Sequence, residues 1–206
     1  MHEKHIPDIV IARLPIYLQA LKHLQLDGNR KISSKALAEK IGISAAQIRK
    51  DLSFFGEFGK QGSGYSVDFL IDQLQDILKV KKVWDMALVG VGDLGRAMVN
   101  YQGFHNAGFN ISLVFDNDPM KIGREVAGFT IHDIRDLPEL IRKKNIEVAM
   151  LAVSSDGAQS AADVLIKAGV RAILNYAPIT LNVPDCVKVQ YINPILELQH
   201  MTFYMD

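Results

Sequence analysis

The chain has 206 residues with 23 basic and 23 acidic side chains, so its formal net charge is zero, which excludes a globally basic nucleic-acid coat but leaves local patches open. The single cysteine, Cys186, excludes an internal disulfide and any multi-cysteine metal site, and it fits a reducing, cytoplasmic setting. No apolar run approaches the ~18 residues of a membrane span, the N-terminus leads into no signal-like core, and the six histidines lack metal-ligand spacing, so neither membrane nor metal is expected.

In chain order, residues 15–26 place Tyr17, Leu21 and Leu24 at helical spacing, with Pro15 in a first turn or at a kink in a longer helix. A serine cap at Ser33 or Ser34 then opens a short helix whose face is Leu37, Ala38 and Ile41, and Gly42 closes it. Ser44 caps a second helix over residues 45–54, with Ile48, Leu52 and Phe55 on its buried side. Two short helices joined by a glycine turn form a helix-turn-helix pattern. The outer side of the second carries Gln47, Arg49, Lys50 and Ser53, chemistry suited to base edges and phosphates. Seven Lys or Arg against three Asp or Glu over residues 30–60 make this a basic stretch of a neutral chain. A solvated helical hairpin is the plain alternative. The glycine-rich run from 56 to 67 is predicted to form a β-hairpin wing, with Lys60 at its tip and Tyr65 on its return strand, reaching phosphates or the minor groove. Residues 67–80 follow as an amphipathic helix with Phe69, Leu70, Leu74, Ile77 and Leu78 on one stripe.

The second half begins with an apolar strand (86–89), the turn Gly90-Val91-Gly92-Asp93-Leu94-Gly95, a helix, and another apolar strand (111–115) ending at Asp116. In a dinucleotide site the first glycine makes the tight turn, the second admits a pyrophosphate to the backbone, and the third lets the helix pack close to the strand. Asp116 lies 21 residues after Gly95, near the roughly 20 expected for the acid that hydrogen-bonds an adenosine ribose. A carboxylate there repels a 2′-phosphate, so NAD(H) is expected over NADP(H). The polar turn at 117–123, including Asp118, is expected to rim the adenosine site.

Helices are predicted over 136–144 and 156–168, and strands over 148–153, 172–174 and 187–191. Val153 and Ser154 at one strand end, and Asn175, Ala177 and Pro178 after the next, are the candidates for a nicotinamide pocket. Residues 195–204 form an unusually apolar terminal helix that a partner subunit or the chain itself must cover. The organisation is therefore α/β, in two domains: a winged helix-turn-helix over 1–80, then a Rossmann-like doubly wound parallel sheet over 81–206.

The chain resembles the Rex family of redox-sensing transcriptional repressors nearly end to end. Arg13-Leu14-Pro15, the run Ile48-Arg49-Lys50-Asp51-Leu52-Ser53-Phe54-Phe55-Gly56, Gly62-Ser63-Gly64-Tyr65, Phe115-Asp116-Asn117-Asp118-Pro119 and Ile173-Leu174-Asn175-Tyr176-Ala177-Pro178 carry the resemblance. It implies a homodimer with swapped C-terminal helices that binds a palindromic operator and lets go when NADH replaces NAD⁺, with no catalytic role. It further implies that Tyr101 lies at the nicotinamide and that Arg13 lies at the joint between the domains. Many relatives carry an aspartate where this chain has Asn193, so a pairing with Arg13 would be a neutral hydrogen bond. Two other readings are an NAD-dependent oxidoreductase with an accessory helical domain and a CoA-binding regulator. The first lacks a substrate domain and an evident acid/base at the strand ends, and the second conflicts with Asp116.

Overall fold

The structure, a computed structural model, describes residues 6–58 and 64–205, in two compact units, Met1–Lys82 and Val83–Asp206. In the first unit, helix α1 (Asp8–Leu26) is longer than its periodicity alone marks and runs through Pro15. Strand β1 (Lys31–Ile32) precedes α2 (Ser34–Ile41) and α3 (Ala45–Ser53), each opened by a serine hydroxyl, Ser33 accepting from the Ala36 N–H and Ser44 from the Gln47 N–H. Gly42, left-handed at φ 70°, ends α2 and sets the turn between the two helices.

Strand β2 (Tyr65–Ser66) pairs antiparallel with β1, Lys31 opposite Ser66 and Ile32 opposite Tyr65. The expected wing tip, Lys60 with Gly62 and Ser63, lies outside the described residues. Helix α4 (Val67–Ile77) buries Val67, Leu70, Ile71 and Leu74, while Phe69, expected on that stripe, is 47% exposed. These side chains pack with Leu14, Tyr17, Leu21, Leu37, Ile48 and Leu52 into one core.

The second unit is built on a sheet of β3 (Trp84–Val89), β4 (Phe109–Asp116), β5 (Glu125–Val126), β6 (Phe129–Asp133), β7 (Val148–Leu151), β8 (Ala172–Asn175) and β9 (Lys188–Tyr191). Their order is β5-β6-β4-β3-β7-β8-β9; only the β5–β6 pair is antiparallel. Counted along the chain, the parallel strands therefore stand third, second, first, fourth, fifth, sixth, the doubly wound order of dinucleotide-binding sheets. The order reverses between β3 and β7, and a ligand crevice is expected outside the carboxyl ends of those strands.

Helices α5 (Asp93–Val99), α6 (Gly103–Asn106), α7 (Leu137–Lys144), α8 (Ser155–Ala168) and α9 (Pro194–Thr202) complete the unit. The carboxyl-side stretches of the central strands, 86–89, 113–115 and 148–151, are apolar because both faces are covered: Ala87, Val89, Phe115, Leu151 and Leu165 lie in one cluster, and Met86, Leu88, Val114 and Met150 in another. Strand β6, which sequence periodicity did not mark, extends the sheet by pairing parallel to β4. No residue of α9 is buried, and Ile195, Leu196, Leu198 and Met201 are each 59–60% exposed.

Candidate functional site

A cleft of about 620 Å³ opens at the carboxyl ends of β3, β4 and β7. Gly90, Val91 and Gly92 form one wall, Asp116, Asn117 and Lys121 another, and Ala152, Val153 and Ser154 a third. The glycine turn is sterically obligatory at two of its three positions. A Cβ on Gly90, at φ 98°, would lie 2.5 Å from the Ala152 carbonyl oxygen, and one on Gly95 would lie 2.0 Å from the carbonyl oxygen of Gly90. A Cβ on Gly92 would meet nothing within 4 Å, so this backbone faces open cleft rather than protein. Such an open approach, next to the N-terminal N–H groups of α5, is what a pyrophosphate needs.

Asp116 is 5% exposed. One carboxylate oxygen accepts the Asp118 N–H at 2.9 Å; the other accepts the Val91 N–H at 2.8 Å and lies 3.1 Å from the Lys121 ammonium. Burial alone would raise its pKa, but the two backbone donors and Lys121 outweigh that and hold the carboxyl below its usual range. A carboxylate offers about four acceptor directions. Three are taken, which leaves one for a ribose hydroxyl. The residue thus also ties the glycine turn to the end of β4. Asp116→Asn is expected to weaken NADH binding by about 1.5–3 kcal/mol, the value of a charge-assisted hydrogen bond, and fluorescence titration checks it. Unchanged affinity would take the acid off the ribose.

In the first unit, Arg49, Lys50 and Ser53 lie exposed on α3, and Gln47 is half-buried in its first turn. Arg49 donates to Ser34 Oγ at 2.9 Å, Ser53 Oγ donates to the Lys50 carbonyl, and Tyr65 is half-buried, its phenol pKa raised by burial and lowered in part by Arg49. Ser33 and Ser44 are occupied as helix caps. Behind this face lies Asp51, fully buried. Its carboxylate accepts Arg13 Nε at 2.6 Å, Arg13 Nη2 at 2.8 Å, the Tyr17 hydroxyl at 2.6 Å and Gln47 Nε2 at 2.6 Å. Burial pushes its pKa up, and the bonds from Arg13, Tyr17 and Gln47 overcome this and hold it down, while burial and Asp51 push the Tyr17 phenol up. Arg13, expected at the joint with Asn193, has this bidentate partner in its own unit. Asn193 caps α9 through the Ile195 N–H at 3.1 Å.

Of the other expected cofactor residues, Asp93 and Leu94 start α5, with Leu94 45% exposed, and Asp118 accepts the Met120 N–H. Tyr101 is 63% exposed, packs edge-on against Phe104 and is not among the residues that line the cleft. Asn175 is buried, and its side chain is consumed by the loop it starts, bonding the Ala177 and Ile179 carbonyls and the Ala177 N–H. Ala177 is buried and Pro178 exposed, and neither lines the cleft. Lys121 lines it, as expected of the polar turn at 117–123, and so do Arg135 and Ser160, which the sequence did not mark, since a short turn or a helix face gives no sequence signal of which way its side chains point.

Substitutions on the outer face of α3 distinguish two kinds of DNA contact. Arg49→Ala is expected to cost about 1–3 kcal/mol and relax sequence preference if it reads a base, whereas Lys50→Ala should weaken binding to all sequences and reduce the salt slope by about 1 if it meets a phosphate. Retardation assays at several salt concentrations check both, and wild-type binding by both variants would remove α3 from the interface.

A helix-turn-helix unit joined to a dinucleotide-type sheet with an open cleft defines a class, the DNA-binding regulators that carry a nucleotide-binding unit. Residues 5–53 match the family model "Putative DNA-binding protein N-terminus", and residues 81–179 match the "CoA binding domain". The chain is 49% identical over 199 residues to the redox-sensing transcriptional repressor Rex of Chloroflexus aurantiacus, covering 97% of this chain and 94% of that one. It is 43% identical over 198 residues to the Rex of Desulforamulus reducens, covering 96% and 94%. Among solved structures, it superposes on RSP in complex with β-NAD⁺ and operator DNA with a TM-score of 0.92, at 36% identity, covering 97% of this chain and 92% of that one. RSP in complex with β-NADH superposes at 0.89, at 34% identity, covering 98% and 95%. The chain belongs to the Rex family of redox-sensing transcriptional repressors.

Proposed function

We propose that the protein binds a palindromic operator through α3 of two copies and leaves it when NADH replaces NAD⁺. The observation that carries this reading is the near-full-length likeness to RSP, whose structures hold β-NAD⁺ with operator DNA in one case and β-NADH in the other. The cleft supplies the matching chemistry. The turn at Gly90, Val91, Gly92 and Gly95, with the first N–H groups of α5 at Asp93 and Leu94, receives the pyrophosphate. Asp116 takes a ribose hydroxyl, Asp118 rims the adenosine, and Val153 and Ser154 bound the nicotinamide end; Tyr101, Asn175, Ala177 and Pro178, which do not line the cleft, carry no part of this reading. An ionised Asp116 disfavours the phosphorylated ribose of CoA and of NADPH, which favours NAD(H).

Ser33, Ser44, Gln47, Arg49, Lys50, Ser53 and Tyr65 form the DNA-facing set; Lys60, expected in it, lies outside the described residues. The reduced cofactor favours an arrangement in which two recognition helices no longer match two half-sites. No helix among the described residues is long and apolar enough to cross a membrane, and the place of action is the cytoplasm, where operator and NADH pool meet.

The exposed apolar side chains of α9 are covered by a second copy, through exchange of this helix in a homodimer. Sedimentation of Leu198→Glu is expected to give monomer where the unaltered chain gives dimer; a dimer in both would place the interface elsewhere. Operator-fragment retardation titrated separately with NADH and NAD⁺ tests the function. Release is expected with NADH only, and release by neither, or equally by both, would overturn it.

A further inference from the structure

Gln47 occupies the third position of α3, in the turn whose residues meet base edges when such a helix enters a major groove. Its amide is not free to choose which end it presents. Nε2 donates to Asp51 Oδ1 at 2.6 Å, and the reverse orientation would set the amide oxygen against a carboxylate oxygen at the same distance. Asp51 in turn has no freedom, because Arg13 takes both of its oxygens and Tyr17 takes Oδ2, so that with Gln47 all four acceptor directions are filled. Among the described residues nothing donates to Gln47 Oε1.

We propose that Gln47 is a specificity-determining residue that presents its carbonyl oxygen to DNA and therefore reads the exocyclic amine of adenine or cytosine, with Asp51, Arg13 and Tyr17 as the positioning residues that fix this polarity. The inference rests on the DNA-binding reading above. The amine of adenine N6 or cytosine N4 is the major-groove donor, and guanine O6 and thymine O4 are acceptors that an outward oxygen rejects. A glutamine free to turn would accept either kind of edge; this one is locked to one kind. Arg13 thus acts on DNA without touching it, from a helix outside the helix-turn-helix.

Selection of duplexes from randomised DNA by the full chain provides the test, because no operator sequence need be assumed. Gln47→Ala is expected to lose about tenfold in preference at one base pair of each half-site and nowhere else. Gln47→Glu, which can only accept, keeps the same base there, with weaker affinity because it gives up the bond to Asp51 and faces that carboxylate. Gln47→Lys, which can only donate, loses or changes it. Asp51→Asn, whose amide can donate to Gln47 and release it, relaxes that same pair while the rest of the selected motif persists. If Asp51→Asn does not fold, Tyr17→Phe, which removes one of the four donors and lets the carboxylate turn, is expected to relax the same pair. A different base selected by Gln47→Glu, or a uniform loss of affinity in the positioning variant with the motif unchanged, would overturn the proposal. A wild-type chain that selects no sequence would instead overturn DNA binding itself.

Discussion

Asp51→Ala should destabilise the first unit by about 3 kcal/mol, the lower end of the range for breaking a buried ion pair. Asp51 is fully buried, and its loss strands Tyr17, also buried, and Arg13 without their shared acceptor. The Arg13 side chain is 19% exposed, so its guanidinium can recover some water, which keeps the loss from the upper end. The effect carries a pH signature. The carboxyl is held below its ordinary value near ~3.9, so the stability it contributes is complete above that pH and is lost as pH falls through the folded-state value. Denaturant titration of the full chain is therefore expected to show a lowered midpoint for Asp51→Ala at pH 7, with the difference from wild type shrinking below about pH 4. Equal midpoints at pH 7 would mean that the network contributes no net stability.

The glycine turn is expected to separate fold from ligand. Gly95→Ala forces a methyl to 2.0 Å from a backbone oxygen, which no side-chain adjustment relieves, so the β3–α5 packing must open and both stability and NADH binding should fail. Gly92→Ala is the opposite case. Its φ of −78° suits alanine and its Cβ direction is empty, so stability should stay within about 0.5 kcal/mol of wild type. The methyl nevertheless stands where the pyrophosphate must approach, and NADH binding should weaken by at least tenfold, about 1.4 kcal/mol. Thermal melting and NADH titration of the two variants check this; a Gly92→Ala chain that binds NADH normally would move the phosphates off this turn.

These two sites were unequally legible in the sequence. The glycine turn reads directly because strand, turn and helix are consecutive and each glycine has a local steric cause; the structure adds only that Gly90 and Gly95 are fixed by protein contacts and Gly92 is not. The serine caps at Ser33 and Ser44 read for the same reason. Asp51, by contrast, sits in a run of polar residues on α3 and gives no sign that it is buried. Its partners Arg13 and Tyr17 lie 38 and 34 residues away on α1, and no periodicity links side chains of different helices. The same limit hid the pairing of Tyr65 with Ile32, which are far apart in the chain. Strand β6 was missed because five residues with only Phe129 and Ile131 as apolar alternates make too short a pattern to stand out. The cleft's Lys121 could not be aimed from sequence either, since its direction is set by the Asp116 carboxylate it meets.

The central claim is that one bound nucleotide and one DNA face are energetically coupled, and coupling between two binding equilibria is reciprocal. The most direct test is the NADH affinity of the full chain measured with and without a saturating operator duplex. Operator should weaken NADH binding by the same factor by which NADH weakens operator binding, and should leave NAD⁺ binding far less affected. An NADH affinity that is the same on and off the duplex would contradict the account, however tightly the chain binds each ligand alone.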